Sequence, residues 1–300
     1  MQSGSWQVFI LLHALFSALQ VLQFRAIARD KKARHAGLAV NAISFSTLYV
    51  CGLVVLPIIG GVAVAEFLDI WLLFVTSASL FVFSLYLMYK AFTHLESATA
   101  SVLGTSSALF TVIIAGVFYG ERLSPTQLFG IAIVVPAIYY VLLLARRSHR
   151  LIDLKDTNWL HGFWYMIAGS FCLSLAHIFE KDILQQASVG TYIAFGWLLQ
   201  VAAAWALYLL FGRHAHHVFK QEKTVRSSMQ LGAMRAATGF FFILALKISN
   251  NVSLVTVVAN FRIILVALLA GWFLQERRYY YRKIAAAAVS VVGLSIIFWN

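Results

Sequence analysis

Charge is scarce in this 300-residue chain: 11% of residues are Asp, Glu, Lys or Arg, while 61% are hydrophobic. Soluble domains carry about 25% charged residues. No water-soluble core could absorb so much apolar sequence, so a soluble globular fold is excluded. Acid is scarcer than base, at 11 Asp and Glu against 23 Lys and Arg. The acids lie at the ends of apolar runs or between them, and none sits mid-run; Glu180 comes closest. Cysteine is limited to Cys51 and Cys172, both inside apolar runs, where a free thiol packs as a small hydrophobe. A disulfide framework is therefore not expected. The chain has no Gly-rich phosphate loop, no His-Glu-x-x-His and no nucleophile elbow. Nothing here predicts a catalytic residue or a cofactor. The stretch "RHAHH" at 213–217 lacks Cys and paired acids, so it reads as a solvated basic loop rather than a metal site.

What is present is a series of ten apolar runs, at about 5–27, 36–58, 67–93, 97–119, 124–145, 159–183, 189–212, 227–248, 251–274 and 278–299. A run of about 20 apolar residues matches the roughly 30 Å hydrocarbon core of a bilayer. Period-2 alternation is absent and the runs are twice the length of a barrel strand, so helices are expected. The first run lacks a basic leader and an obvious cleavage site, and reads as a helix rather than a removed signal peptide. The fold class is all-α and polytopic, with ten transmembrane helices.

Basic residues separate the loops into two sets. Loops 1, 3, 5, 7 and 9, numbered in chain order, hold 18 of the 23 Lys and Arg. The even loops hold Arg122, Lys181 and Lys247, and the remaining two, Arg235 and Arg262, lie inside spans. The positive-inside rule places the odd loops in the cytoplasm and both termini outside. The net charge of +12 is thus a topology signal, and no nucleic acid is expected. Trp6, Trp159 and Tyr279–Tyr281 have the position of interfacial anchors.

A repeat runs through the chain at an offset of 155. "AGVFYGER" at 115–122 aligns with "AGWFLQER" at 270–277, and Phe16 and Phe24 fall on Phe171 and Phe179. Two five-helix halves follow: residues 1–145, a basic linker at 146–158, and residues 159–300. Five is odd, so the second half must insert upside down relative to the first. Oppositely oriented halves can exchange roles around a midplane site, which is the architecture of alternating access.

On these residues the chain resembles the drug/metabolite transporter superfamily, of the EamA-like ten-helix kind. The resemblance rests on length, span count, two halves, and a Glu ending the fourth helix of each half, in "YGERLSPTQLFG" at 119–130 and "LQERRYYYRK" at 274–283. The second motif lacks the Gly and the Leu of the usual pattern. The resemblance also implies Pro partway along helices 4 and 9, where this chain has "TSSALF" and "NFRIIL" instead.

The candidate site residues are those whose polarity is out of place in lipid. Arg262 is near the middle of the ninth run and should face protein or a water-filled cavity, because an Arg at that depth costs about 2.5–3.5 kcal/mol. The structural alternative ties its guanidinium to carbonyls of a broken helix. Arg235, in the eighth run, has Gly232, Thr238 and Gly239 on its face, which suits close packing or a cavity wall. Two central cations without a central anion suggest that the counter-ion is a substrate carboxylate or phosphate, held by a guanidinium fork. Asn260, two residues before Arg262, points to nearly the opposite side of a regular helix, and both reach a cavity only if the helix is unwound there; the repeat aligns Thr105 and Ser107 with these two. Gln20 and His177 lie in the paired first helices, His177 as a site for a coupling proton. Gln200 is a lone mid-span amide in the seventh run.

The sequence thus describes a secondary transporter, an exporter or exchanger, for a small organic anion or a zwitterion such as an amino acid. The expected setting is the bacterial inner membrane, with lipids around it and a coupling proton or counter-substrate. Two other readings stay open: a phosphate-ester or nucleotide-sugar exchanger on the same fold, and a membrane enzyme or lipid-handling protein. A third cation, Lys90 or Lys247, converging on Arg262 would favour phosphate.

Overall fold

The computed structural model describes residues 5–30, 33, 35–119, 124–151, 158–249 and 259–297. Glu121 and Arg122, which carry the first of the two Glu motifs, lie outside the described residues. Among the described residues every regular element is helical. Lipid offers a backbone no hydrogen-bond partners, so each crossing segment must satisfy its own N–H and C=O groups.

The helices in chain order are α1 (Ser5–Arg29), α2 (Gly37–Ile59) and α3 (Trp71–His94). Next comes α4, in two segments (Ser97–Gly104 and Ser106–Tyr119), and then α5 (Pro125–Leu151). The second half has α6 (Trp159–Gln186), α7 (Val189–Gly212), α8 (Glu222–Ser249), α9 (Arg262–Phe273) and α10 (Tyr280–Ile297). Eight spans among the described residues are long and apolar enough to cross a membrane. The described part of α9 is shorter, and α8 carries Arg235 at mid-length. A one-turn segment, Val64–Asp69, precedes α3. Large apolar side chains face outward, Ile58 at 82% exposure and Leu210 at 71%. In water such a surface would aggregate; in hydrocarbon it meets its own solvent.

The packing follows an exchange of each helix with the one five places on. α3 lies along α6, and α1 along α8. α2 meets α8, and α7 meets α3. The second segment of α4 meets α6, and α9 meets α1. The contacts α2–α7 and α5–α10 map onto themselves. At α5–α10 two glycines let the backbones approach: a Cβ on Gly130 would stand 2.6 Å from the Gly293 carbonyl oxygen. Small residues at such crossings give van der Waals packing, which drives helix association where lipid removes the hydrophobic term.

Each end of the bundle is tied by polar contacts between loops of one parity. At the odd-loop end, Arg25 Nε bonds Glu276 Oε1 at 3.2 Å. Glu276 Oε2 accepts from the Ser97 amide at 2.7 Å, so it caps the start of α4. Lys283 pairs with Glu96, and Arg29 Nη1 donates to the Leu274 carbonyl at 3.1 Å. At the even-loop end, Glu66 Oε2 accepts from the Ser188 amide and from Thr191 Oγ1, both at 2.8 Å. The two cysteines are free.

Candidate functional site

Two helices lose their regularity at equivalent places. α4 turns at Thr105, with φ −63° and ψ −18°. α9 turns at Phe261, with φ −57° and ψ −21°. Ala108 N donates to Thr105 O at 3.0 Å, and Ile264 N donates to Phe261 O at 3.1 Å. Both are the i→i+3 bonds of a tightened 3-10 turn, a feature that often marks a hinge. Phe261 corresponds to position 106 at the repeat offset of 155, so the turn in α4 falls one residue earlier. No proline is needed at either point. The sequence reading left the ninth helix either regular or unwound near Arg262, which stands on the first residue after this turn.

From that position Arg262 Nη1 donates to Ser17 Oγ on α1 at 3.0 Å. The side chain is half-buried, and no carboxylate lies within ion-pair distance of it among the described residues. A guanidinium has five N–H donors. Among the described residues one hydroxyl engages one of them. A hydrogen bond from a charged group contributes about 1.5–3 kcal/mol, which is comparable to the cost of about 2.5–3.5 kcal/mol for an Arg at this depth. Asn260 Nδ2, two residues before, is buried without a partner.

Titratable groups also lie on α1 and α6. His13, one turn from Ser17, is buried; its Nδ1 is 2.9 Å from the Thr238 carbonyl oxygen, and Phe242 packs against its ring. His177 is exposed on α6, and its Nδ1 is 2.9 Å from Glu180 Oε2. Tyr192, buried on α7, is within hydrogen-bonding reach of Glu180 and Gln200. Gln200 Oε1 has no partner. The Glu180 carboxylate thus meets the His177 imidazole, while Arg262 meets Ser17.

Arg235 has a different environment. Its guanidinium lies 5.2 Å from the Phe24 ring centre and 4.8 Å from that of Phe45. Nη1 donates to Ser44 Oγ at 2.6 Å and Nη2 to Asn41 Oδ1 at 3.1 Å. It is 4% exposed. Two rings and two neutral acceptors enclose it, and cation–π contacts this desolvated contribute about 2 kcal/mol. Phe24 is seven residues from Ser17, about 10 Å along α1, so the two arginines touch one helix two turns apart.

The remaining predicted residues are spread more widely. Thr105 is buried and donates to its own helix, to Val102 O at 2.6 Å. The Ser107 carbonyl accepts from Ser174 Oγ on α6 at 2.6 Å. Gln20 is half-buried on α1 between Ser17 and Phe24. The structure thus joins Arg262 to a residue the sequence reading passed over, Ser17, and sets His177 against Glu180 instead. The signal for Ser17 was its spacing, four residues after His13 on a face opposite an intramembrane cation.

The chain was compared with known proteins on this basis. The model of the EamA-like transporter family matches residues 4–143. That segment, a little under half of the chain, is similar to the EamA-like transporter family. A solved structure, titled only "Crystal structure of protein", superposes with a TM-score of 0.67 over 99% of this chain and 97% of that one, at 15% identity. At that identity the likeness concerns the fold alone. No curated protein matches.

Proposed function

We propose that this EamA-like transporter moves a small organic anion or a zwitterion such as an amino acid, and that Arg262 holds its carboxylate. The observation that carries the reading is the half-buried Arg262 guanidinium, which has Ser17 as its hydrogen-bond partner among the described residues. A bound carboxylate would accept from the donors left open. Asn260 supplies a further neutral donor. Glu180, paired with His177 on α6, is the carboxylate toward which an amino acid would set its ammonium group. Binding by one fork and neutral helpers stays weak enough for release on the far side. Lys90 stacks 5.6 Å from the Tyr86 ring, and the Lys247 side chain lies outside the described ones, so a phosphate ester has no specific support.

Transport proceeds by alternating access between two inverted halves, residues 1–145 and 159–300, in the direction of export or exchange. The paired turns at Thr105 and Phe261 support this reading as hinges. His13 and His177 are the groups able to carry a coupling proton. The odd loops face the cytoplasm of a bacterial inner membrane, and both termini face out. Labelling from outside should then modify a cysteine placed at Ser3 and spare one placed at His217; the reverse pattern overturns the orientation.

The test of substrate class is a thermal-shift screen of the purified protein against amino acids, organic acids, sugar phosphates and cationic drugs. Stabilisation by carboxylates that is lost in Arg262→Lys supports the reading. Stabilisation by cationic drugs alone overturns it.

A further inference from the structure

We infer that a groove at the odd-loop end of α9 and α10 binds the phosphate of an anionic phospholipid. The groove encloses about 720 Å³ and is lined by Trp272, Arg277, Tyr279, Tyr281 and Arg282 over a floor at Gly271. Its shape comes from a tight loop. Gln275 and Tyr279 both take positive φ, 55° and 51°, which folds residues 275–279 back beneath α9. Tyr280 locks the fold by donating its hydroxyl to Leu268 O at 3.1 Å. Its ring lies on Gly271, where a Cβ would meet it at 2.1 Å.

The sorting of charge decides what the groove can hold. The loop sequence Glu276–Lys283 carries one acid and four bases. Glu276 is withdrawn into the protein, between Arg25 and the start of α4. Lys283 is withdrawn as well, onto Glu96. The outer surface keeps the arginines: Arg277 and Arg282 are exposed, and Arg282 stacks 5.7 Å from the Tyr279 ring. Trp272 is 72% exposed and Tyr281 83%. Such rings belong at the headgroup level of a bilayer, with the apolar body toward the chains and the polar edge toward water.

A phospholipid with a net negative headgroup answers each of these features. Its phosphate accepts from the two guanidinium forks. Its acyl chains continue along the outward apolar residues of α9, Leu268 and Phe273 among them. The first turn of α10 adds the positive end of an 18-residue helix. A leaflet rich in anionic lipid attracts basic residues near its surface, and the groove converts that diffuse attraction into a seat for one molecule.

The test uses the full-length protein in detergent with three probes: phosphatidylglycerol, phosphatidylcholine and inorganic phosphate. Bound lipid is counted by native mass spectrometry. Phosphatidylglycerol should bind in preference to phosphatidylcholine, and Arg277→Gln with Arg282→Gln should weaken it about tenfold. The pair Arg146→Gln and Arg147→Gln, exposed at the end of α5, should leave binding unchanged. Equal binding of the two lipids overturns the inference, as does full retention in the first variant. Displacement of the lipid by millimolar inorganic phosphate also overturns it, since the site would then hold a free anion.

Discussion

The turn in α4 and the turn in α9 share a backbone and differ in chemistry. Thr105 and Phe261 have dihedral angles within a few degrees of each other, and each is followed by the same i→i+3 hydrogen bond. Each turn also leans on the first helix of the other half, Ser107 on Ser174 of α6 and Arg262 on Ser17 of α1. In α4 the contact is a carbonyl accepting from a hydroxyl. In α9 it is a guanidinium reaching a hydroxyl. Duplicated backbone thus supplies two turns, while serine against arginine at positions 107 and 262 gives only one of them a cation, the one we propose as the anion site.

The sharpest way to break that asymmetry is to remove the charge. Arg262→Ala should abolish transport in proteoliposomes while the protein still inserts and folds, because the lost bond to substrate is worth about 1.5–3 kcal/mol, a factor of about 10–150. Arg262→Lys keeps the charge and loses the fork, so transport should weaken less. A structural arginine would behave otherwise: Arg262→Ala would misfold, and no substrate would protect the unaltered protein. Normal transport by a folded Arg262→Ala protein removes both accounts.

The second comparison concerns the caps of the same two helices. Glu276 accepts from Arg25 and from the first amide of α4, and its side chain is 5% exposed. Removing one partner of a buried ion pair costs about 3–5 kcal/mol. Glu276→Gln should therefore lower the melting temperature strongly. By the repeat, Glu121 has the equivalent position for α9, though it lies outside the described residues. Glu121→Gln should cost a similar amount if the exchange of halves extends to the helix caps. A silent Glu121→Gln would confine the exchange to the packing of the helices.

Arg235 tests whether an intramembrane cation must be a binding site. The fold class, the ten helices and the offset of 155 were legible because they are written in hydrophobicity and spacing. The roles of the two arginines were not. Both read as cations without a counter-ion, and what separates them is distant in sequence: Phe24, Asn41, Ser44 and Phe45 around one, Ser17 beside the other. Periodicity says which residues share a helix face but not which faces meet. The turns at Thr105 and Phe261 were hidden for a related reason, since neither carries the proline that would announce a bend. Arg235→Ala leaves two buried acceptors unmet and removes two cation–π contacts, at a cost of about 2–4 kcal/mol. It should destabilise the fold and leave transport per folded molecule nearly unchanged. The opposite pattern, a stable protein that no longer transports, would move Arg235 into the site.

The smallest effect belongs to the other end of the bundle, where Glu66 contrasts with Glu276. Glu66 is served by an amide and hydroxyls rather than by an arginine. Those bonds, the Ser188 amide first, hold its carboxyl below the ordinary 4.5. The folded state thus favours the charged form, and the stabilisation is present in full above that ordinary value. It is lost as the pH falls through the lowered value, where the folded carboxylate takes up its proton. Glu66→Gln should therefore melt slightly below the unaltered protein at pH 7, and the gap should close in acid. Melting temperatures of the two proteins between pH 7 and pH 3 check this. A gap that stays constant would mean that the Ser188 and Thr191 bonds do not depend on the charge. The contact would then be a packing feature of loops 2 and 6 rather than an electrostatic tie between the halves.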